Sequence, residues 1–183
     1  MQRTLRVARF ARPLVPLNAK PLGNIPLFMK LTDYLIDQSA YDWPAVLRPW
    51  SWRLPPEFTL WLVDRFADLF IVLDDGSVHV LRTDSGELSH VADSRDRFAT
   101  LLDQNDNAAD WLLIPLVDEL VSSGAVLKPG QCYGFKVSPL IGGAYHSANI
   151  TPRDLAEYHS FLADFYAQTN SLPDGARVRI QIV

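Results

Sequence analysis

Residues 68–91 read DLFIVLDDGSVHVLRTDSGELSHV, and this stretch decides the fold. Two apolar runs rich in β-branched residues flank the turn Asp74-Asp75-Gly76, and an Asp-Gly pair between such runs is a strong hairpin signal. A second turn at residues 83–86 leads into a third run over residues 87–91. The pattern therefore predicts an antiparallel meander.

Helical patterns surround this meander. Ser94 is predicted to cap a helix over residues 95–103, and apolar residues at three- to four-residue spacing predict another helix over residues 111–123. Because strands and helices are mixed and the strands form hairpins, the fold class is α+β: an antiparallel meander sheet packed with several helices in a single domain. The other predicted elements are strands over residues 131–137 and 177–183 and helices over residues 31–40, 54–66 and 151–168.

Charge is distributed unevenly along the 183 residues. Residues 1–32 hold six basic residues and no acid, whereas residues 33–183 hold 21 acidic and 11 basic residues, a net charge of −10. An acidic body repels nucleic acid and attracts a basic protein surface. No apolar run reaches the ~18 residues that span a bilayer. We therefore expect a protein partner, and neither nucleic acid nor a membrane.

The chain divides into three parts by composition. Residues 1–28 form a basic, Pro-rich arm, and Met29 offers an alternative start that would make this arm the product of an upstream start codon. Residues 29–56 hold a short predicted helix and a connection rich in Trp and Pro. Tryptophans in such a connection pack over a core edge or, less often, form a binding surface. Residues 57–183 form the main domain.

Side chains with catalytic potential are scattered. Cys132 alternates with its neighbours in a predicted strand, which indicates a buried thiol, and a lone cysteine suits a reducing compartment such as the cytoplasm. His159 lies on the apolar face of its predicted helix, which favours a hydrogen-bonded core histidine. His79 and His90 could meet across the meander, but no histidine or cysteine pair has zinc-site spacing.

Other chemical motifs are incomplete. Residues 103–107 resemble the start of a calcium loop, but Ala108 and Ile114 stand where glycine and glutamate are required. Asp64, Asp68 and the turn acids Asp74 and Asp75 are predicted to be solvated rather than an acid–base pair. Neither a serine elbow nor a phosphate loop occurs. We predict no catalytic residue, no metal and no cofactor, and hence no enzyme.

Several short motifs resemble one family in their order. They are residues 66–70, the hairpin at residues 74–81, residues 84–88, Phe98, residues 130–135, Gly142-Gly143, Asn149-Ile150, residues 158–162 and residues 172–175. Together they resemble the C-terminal domain of the Tdi type of immunity protein of bacterial type VI secretion, which in that family follows a small GAD-like region. The resemblance covers roughly residues 57–183. The glycines are predicted to serve the scaffold: Gly142-Gly143 for unusual backbone angles or close approach, and Gly134 for a bulge or for tight packing against another segment.

This resemblance implies a function without chemistry. Proteins of the family resemble one another as cytoplasmic antidotes that bind a cognate toxin, often a nuclease, and block it. An acidic body is consistent with capping a basic active site. The alternative is a regulatory or scaffold module of the Smi/Knr-like kind that binds a housekeeping protein. The predicted contact residues are the acids of two turns: Asp74, Asp75, Asp103, Asp106 and Asp110.

Overall fold

A computed structural model describes residues 30–173, together with the backbone of two short strands, β1 (Thr4–Arg6) and β8 (Arg177–Arg179). These two strands pair with each other in antiparallel fashion. The predicted closing strand is therefore present over its first three residues, and residues 180–183 lie outside the described residues. Most of the arm, residues 7–28, also lies outside them.

A four-stranded antiparallel sheet forms the centre of the molecule. Its strands are β2 (Thr59–Val63), β3 (Leu69–Val72), β4 (Val78–Leu81) and β5 (Leu88–Ala92), and they lie side by side in chain order. The predicted meander is confirmed. Gly76 occupies the hairpin turn with a φ of 85°, a left-handed conformation that glycine adopts without steric cost.

Both faces of this sheet are covered, which explains why its central strands read as continuous apolar runs. Side chains alternate between the faces along a strand. Leu69 and Ile71 pack in one core, which includes residues of the helices α1 (Trp43–Leu47) and α5 (Leu155–Thr169). Phe70 and its partner Val80 pack in a second core on the opposite face.

The second core joins the remaining helices to a small second sheet. Phe98 of α2 (Arg95–Leu102) contacts the rings of Phe70, Trp61 and Trp111, with centroids between 5.1 and 5.4 Å apart. The same core receives buried residues of α4 (Ile114–Ser122) and of the two-stranded sheet of β6 (Gln131–Phe135) and β7 (Ile150–Asp154). The predicted α+β class with a meander sheet and several helices in one domain is confirmed.

Two of the predicted helices are wrong. Residues 54–66 contain β2, because Leu60 and Val63 pair with β3 and complete the sheet. Residues 31–40 contain only a 3-10 turn, Leu31–Tyr34, after which Leu35 bridges to Asp64 along the edge of β2. Both segments have an apolar pattern that suits a helix. In residues 54–66 that pattern belongs to the edge strand β2, and in residues 31–40 it belongs to a segment that lies along the edge of β2.

Two further helices begin later than predicted. Thr151 and Pro152 belong to β7, and Asp154, three residues on, caps α5 by accepting a hydrogen bond from the Glu157 N–H. The helix predicted over residues 111–123 is broken at Leu113, which has a φ of 50°. Its first residue, Trp111, belongs instead to the short helix α3 (Asn107–Trp111).

The predicted roles of the glycines are confirmed. A Cβ on Gly143 would lie 1.8 Å from the Val137 carbonyl oxygen, so this position excludes any side chain. Gly142 has a φ of 91°. A Cβ on Gly134 would lie 2.6 Å from the Arg153 side chain.

None of the helices among the described residues has the length and apolar composition that crossing a bilayer requires.

Candidate partner-binding surface

The tip of the β3–β4 hairpin carries the first pair of predicted contact residues. Asp74 and Asp75 are both exposed. Asp75 accepts hydrogen bonds from the Ser77 hydroxyl at 2.5 Å and from the Ser77 N–H at 2.9 Å. These bonds favour the ionised carboxylate and lower the pKa of Asp75. The turn therefore presents two carboxylates, one of them held in place.

The connection between α2 and α3 carries the other three predicted contact residues. Asp103 follows the last residue of α2, and Asp106 precedes the first residue of α3; both are exposed. Asp110 lies within α3 and is half-buried. The predicted turn is thus a corner between two helices with acids on its surface.

The two acidic groups lie toward opposite ends of the sheet. The hairpin tip follows Val72 and precedes Val78, which form a strand pair. The carbonyl of Trp111, next to Asp110, accepts a hydrogen bond from Arg82, which follows the far end of β4. Because β4 is four residues long, the groups are separated by roughly 10 Å or more along the strands.

The fold brings two further acids close to the tip of the β3–β4 hairpin. Their positions in the sequence did not indicate this proximity. Glu57 lies two residues before Thr59, which pairs with Val72. Asp93 follows Ala92, which pairs with Val78. Both acids are exposed and lie near the hairpin tip, although each is 18 residues away from Asp75 in the chain. Only the strand register could have placed them there.

A row of polar side chains crosses β4 and β5 near the same tip. Ser77 Oγ lies 3.1 Å from His79 Nε2, the rings of His79 and His90 are 5.2 Å apart, and His90 Nε2 lies 3.2 Å from Asp93 Oδ1. Burial lowers the pKa of His79, and the neighbouring His90 lowers it further, while Asp75 opposes the shift. The expected approach of the two histidines is therefore seen.

This row does not form a catalytic or metal-binding arrangement. Ser77 stands between the carboxylate and the imidazole and donates its proton to Asp75, whereas an activated serine needs the histidine to take that proton. Across residues 30–173, no three His, Cys, Asp or Glu side chains are grouped so that they could hold a metal ion.

Two of the remaining nucleophile and base candidates are buried in the scaffold. Cys132 is fully buried, and burial raises the pKa of its thiol strongly, so the thiolate is disfavoured. His159 is also fully buried; its Nδ1 accepts a hydrogen bond from Trp50 Nε1 at 3.1 Å. Both predictions, a buried thiol and a hydrogen-bonded core histidine, are confirmed. His146 is exposed on a separate loop.

The prediction that Asp64 and Asp68 are solvated is wrong, because both are buried at 1% exposure or less. Asp68 accepts hydrogen bonds from the Thr83 N–H and hydroxyl at 2.7 Å and pairs with Arg82 at 3.3 Å. Asp64 Oδ1 accepts from the backbone N–H groups of Phe66 and Asp68. These carboxylates tie the tight turn before β3 to the end of β4, so their role is structural.

An apolar groove lies where α1 faces the edge strand β2. Its volume is about 550 Å³, within the range of ligand and anchor pockets. Arg48 and Ser51 bring polar groups to the lining, and Arg48 is the ionisable residue among them. Its apolar lining includes Trp43, Pro44, Leu47, Leu54, Phe58 and Leu60. Such a groove can hold an apolar group, but it offers no acid–base pair for catalysis.

Comparison with known proteins bears on these surfaces. Residues 92–166 match the family described as T6SS immunity protein Tdi1, C-terminal. The resemblance to type VI secretion immunity proteins is thus confirmed over this segment. No curated protein sequence matches the chain.

The matched segment runs from the last residue of β5 almost to the end of α5. It contains the acids Asp103, Asp106 and Asp110, and it leaves out the hairpin tip and the groove.

The sequence pattern did not predict the groove, because the Trp- and Pro-rich connection that forms much of it carries no predicted helix. The available signal was Asp42 followed by Trp43-Pro44, since Asp42 caps α1 with proline in its first turn.

Proposed function

We propose that this protein is a cytoplasmic immunity protein that binds a cognate type VI secretion toxin and neutralises it by covering its surface, without catalysis of its own. The single observation that carries the proposal is the family match over residues 92–166. Consistent with it, burial raises the pKa of the Cys132 thiol, and the Ser77 hydroxyl donates to Asp75, so neither group is arranged as an activated nucleophile.

A nuclease is the toxin class that suits the charge of this chain best. Residues 33–183 carry a net charge of −10, and the acids named above are mostly at the surface. Active sites that act on nucleic acid attract phosphates with basic residues, so an acidic protein binds them with complementary charge and rapid association. The same charge disfavours nucleic acid as a direct partner of this protein.

The proposed toxin contacts are the two acidic groups, Asp74 and Asp75 on the hairpin and Asp103, Asp106 and Asp110 at the α2–α3 corner. An interface of ordinary size buries about 800 Å² on each partner and is therefore roughly 30 Å across. One toxin surface can thus cover both groups despite their separation along the sheet.

Co-expression tests the function directly. Cells that express the toxin encoded beside this gene should survive when they also express this protein, and the purified proteins should form a stable complex. Survival without complex formation, or turnover of a substrate by the purified protein alone, would contradict neutralisation by binding. Death of cells despite soluble expression of this protein would exclude that toxin as its partner.

A further inference from the structure

We propose that the groove between α1 and β2 is an anchor site of the immunity interface, which receives an apolar side chain presented on a basic surface of the toxin. This inference rests on the proposed function and adds an apolar contact to it. The groove lies outside the matched segment, so the family match does not assign it.

The composition of the groove is that of an interface centre. Tryptophan, phenylalanine and arginine are enriched where protein interfaces are most deeply buried, and all three line this groove. Pro44 and Ser51 at its mouth are exposed, and Phe58 is half-buried. An inserted side chain would therefore remove apolar surface from water on both partners.

Charge around the groove specifies a basic partner. Asp42 immediately precedes Trp43, and Glu57 immediately precedes Phe58; both acids are exposed. The acidic hairpin tip adjoins the same end, because Thr59 pairs with Val72, one residue before Leu73 and Asp74. Four exposed acids thus flank an apolar groove to which Arg48 of the lining and the adjacent Arg53 contribute two cations, so acids predominate around it. A partner with an apolar group inside a basic rim is complementary to that arrangement.

Hydrogen bonds hold side chains in the groove and next to it. Trp43 Nε1 in the lining donates to the Gln38 carbonyl at 3.0 Å, and Trp50, one residue before Ser51, donates to His159 at 3.1 Å. Arg53, just beyond Ser51, donates to the Gly86 carbonyl at 3.0 Å. Side chains that are already ordered lose little conformational entropy on binding, which favours affinity.

The test compares pairs of matched substitutions by toxin affinity in solution. Ser51→Arg places a bulky cation in the groove lining. Ser122→Arg makes the same change at an exposed position of α4, a helix whose buried residues pack in the second core. We expect S51R to weaken toxin binding at least tenfold and S122R to change it less than threefold. Phe58→Ala opens the groove wall, with exposed Phe161→Ala as its control, and the same difference is expected.

Thermal melting of each variant confirms that loss of affinity does not come from unfolding. If the two variants of each pair bound the toxin equally well while the native protein still rescued toxin-expressing cells, the groove would not be an anchor site. The proposed function would then remain valid. A native protein that neither binds nor rescues would overturn both proposals. Dimerisation of the native protein that S51R abolishes would show that a second copy occupies the groove, and would also overturn the inference.

Discussion

At the scale of single residues, His159 shows how burial makes a titratable group sensitive to acid. The ring is fully buried, its Nδ1 accepts from Trp50, and burial lowers its pKa to about 4, an effect that the nearby Ala67 carbonyl opposes. Protonation would place an uncompensated charge in the core and remove the acceptor for Trp50.

Acid should therefore destabilise this protein through His159. Because its pKa is lower in the folded state than the ordinary 6.5, its stabilising contribution is complete above pH 6.5 and is lost as the pH falls toward 4. The loss should reach about 3 kcal/mol. Urea unfolding between pH 7 and pH 4 measures it. His159→Gln should flatten this part of the profile, whereas exposed His146→Gln should retain it; an unchanged profile in H159Q would contradict the assignment.

Gly143 is a second residue whose identity the packing requires. Since a Cβ would lie 1.8 Å from the Val137 carbonyl oxygen, Gly143→Ala must move backbone and should cost about 2–3 kcal/mol of unfolding free energy. Gly124→Ala is the control: its φ is 85° but the space is open, so about 1 kcal/mol is expected. Chemical denaturation compares them, and equal costs would mean that close approach is unimportant.

At the scale of elements, the β7–α5 junction shows how one segment can satisfy two patterns. Thr151-Pro152-Arg153-Asp154 has the residues of a helix start, yet this stretch pairs with Cys132, Tyr133 and Gly134 of β6. Proline is acceptable in a two-stranded ladder because not every N–H is needed there. The helix therefore begins only at Leu155, after Asp154, whose carboxylate accepts from the Glu157 N–H at 2.9 Å.

Removal of this cap should destabilise α5 specifically. Asp154→Ala leaves the Glu157 N–H without its acceptor and should lower the unfolding free energy by about 1 kcal/mol. Asp154→Asn retains a side-chain oxygen and should lose much less. Thermal melting monitored by helical circular dichroism distinguishes them. If both variants lost the same amount, the charge rather than the cap would be responsible.

At the scale of the whole molecule, charge and shape together determine which partner fits. The native complex should weaken as salt is added, because exposed acids that attract a basic surface are screened. Asp74→Lys, and separately Asp103→Lys with Asp106→Lys, should each weaken toxin binding roughly tenfold. Asp164→Lys, at an exposed position of α5, is the control with the same type of charge change.

Surface-based affinity measurements at two salt concentrations test this prediction. If D74K binds as tightly as D164K, the hairpin tip is not in the interface. The same comparison applies independently to the α2–α3 corner, since the two groups lie toward opposite ends of the sheet.

Local signals in the sequence alone determined the meander, the N-terminal cap of α2 and the turn glycines. An Asp-Gly turn between apolar runs, or Ser94 before α2, acts over a few residues, so the sequence is sufficient to predict the result. The buried states of Cys132 and His159 also followed from local alternation and helical periodicity. The acidic character of the body needed only composition.

Tertiary structure alone decided the identity of β2, the burial of Asp64 and Asp68, and the groove. Residues 59–63 carry an apolar pattern compatible with helix or strand, and the free edge of β3 selected the strand through hydrogen bonds between distant segments. The same pairing brought Glu57 next to the hairpin tip and placed β2 opposite α1. Contacts of this kind depend on strand register and helix packing, which no short stretch of sequence encodes by itself.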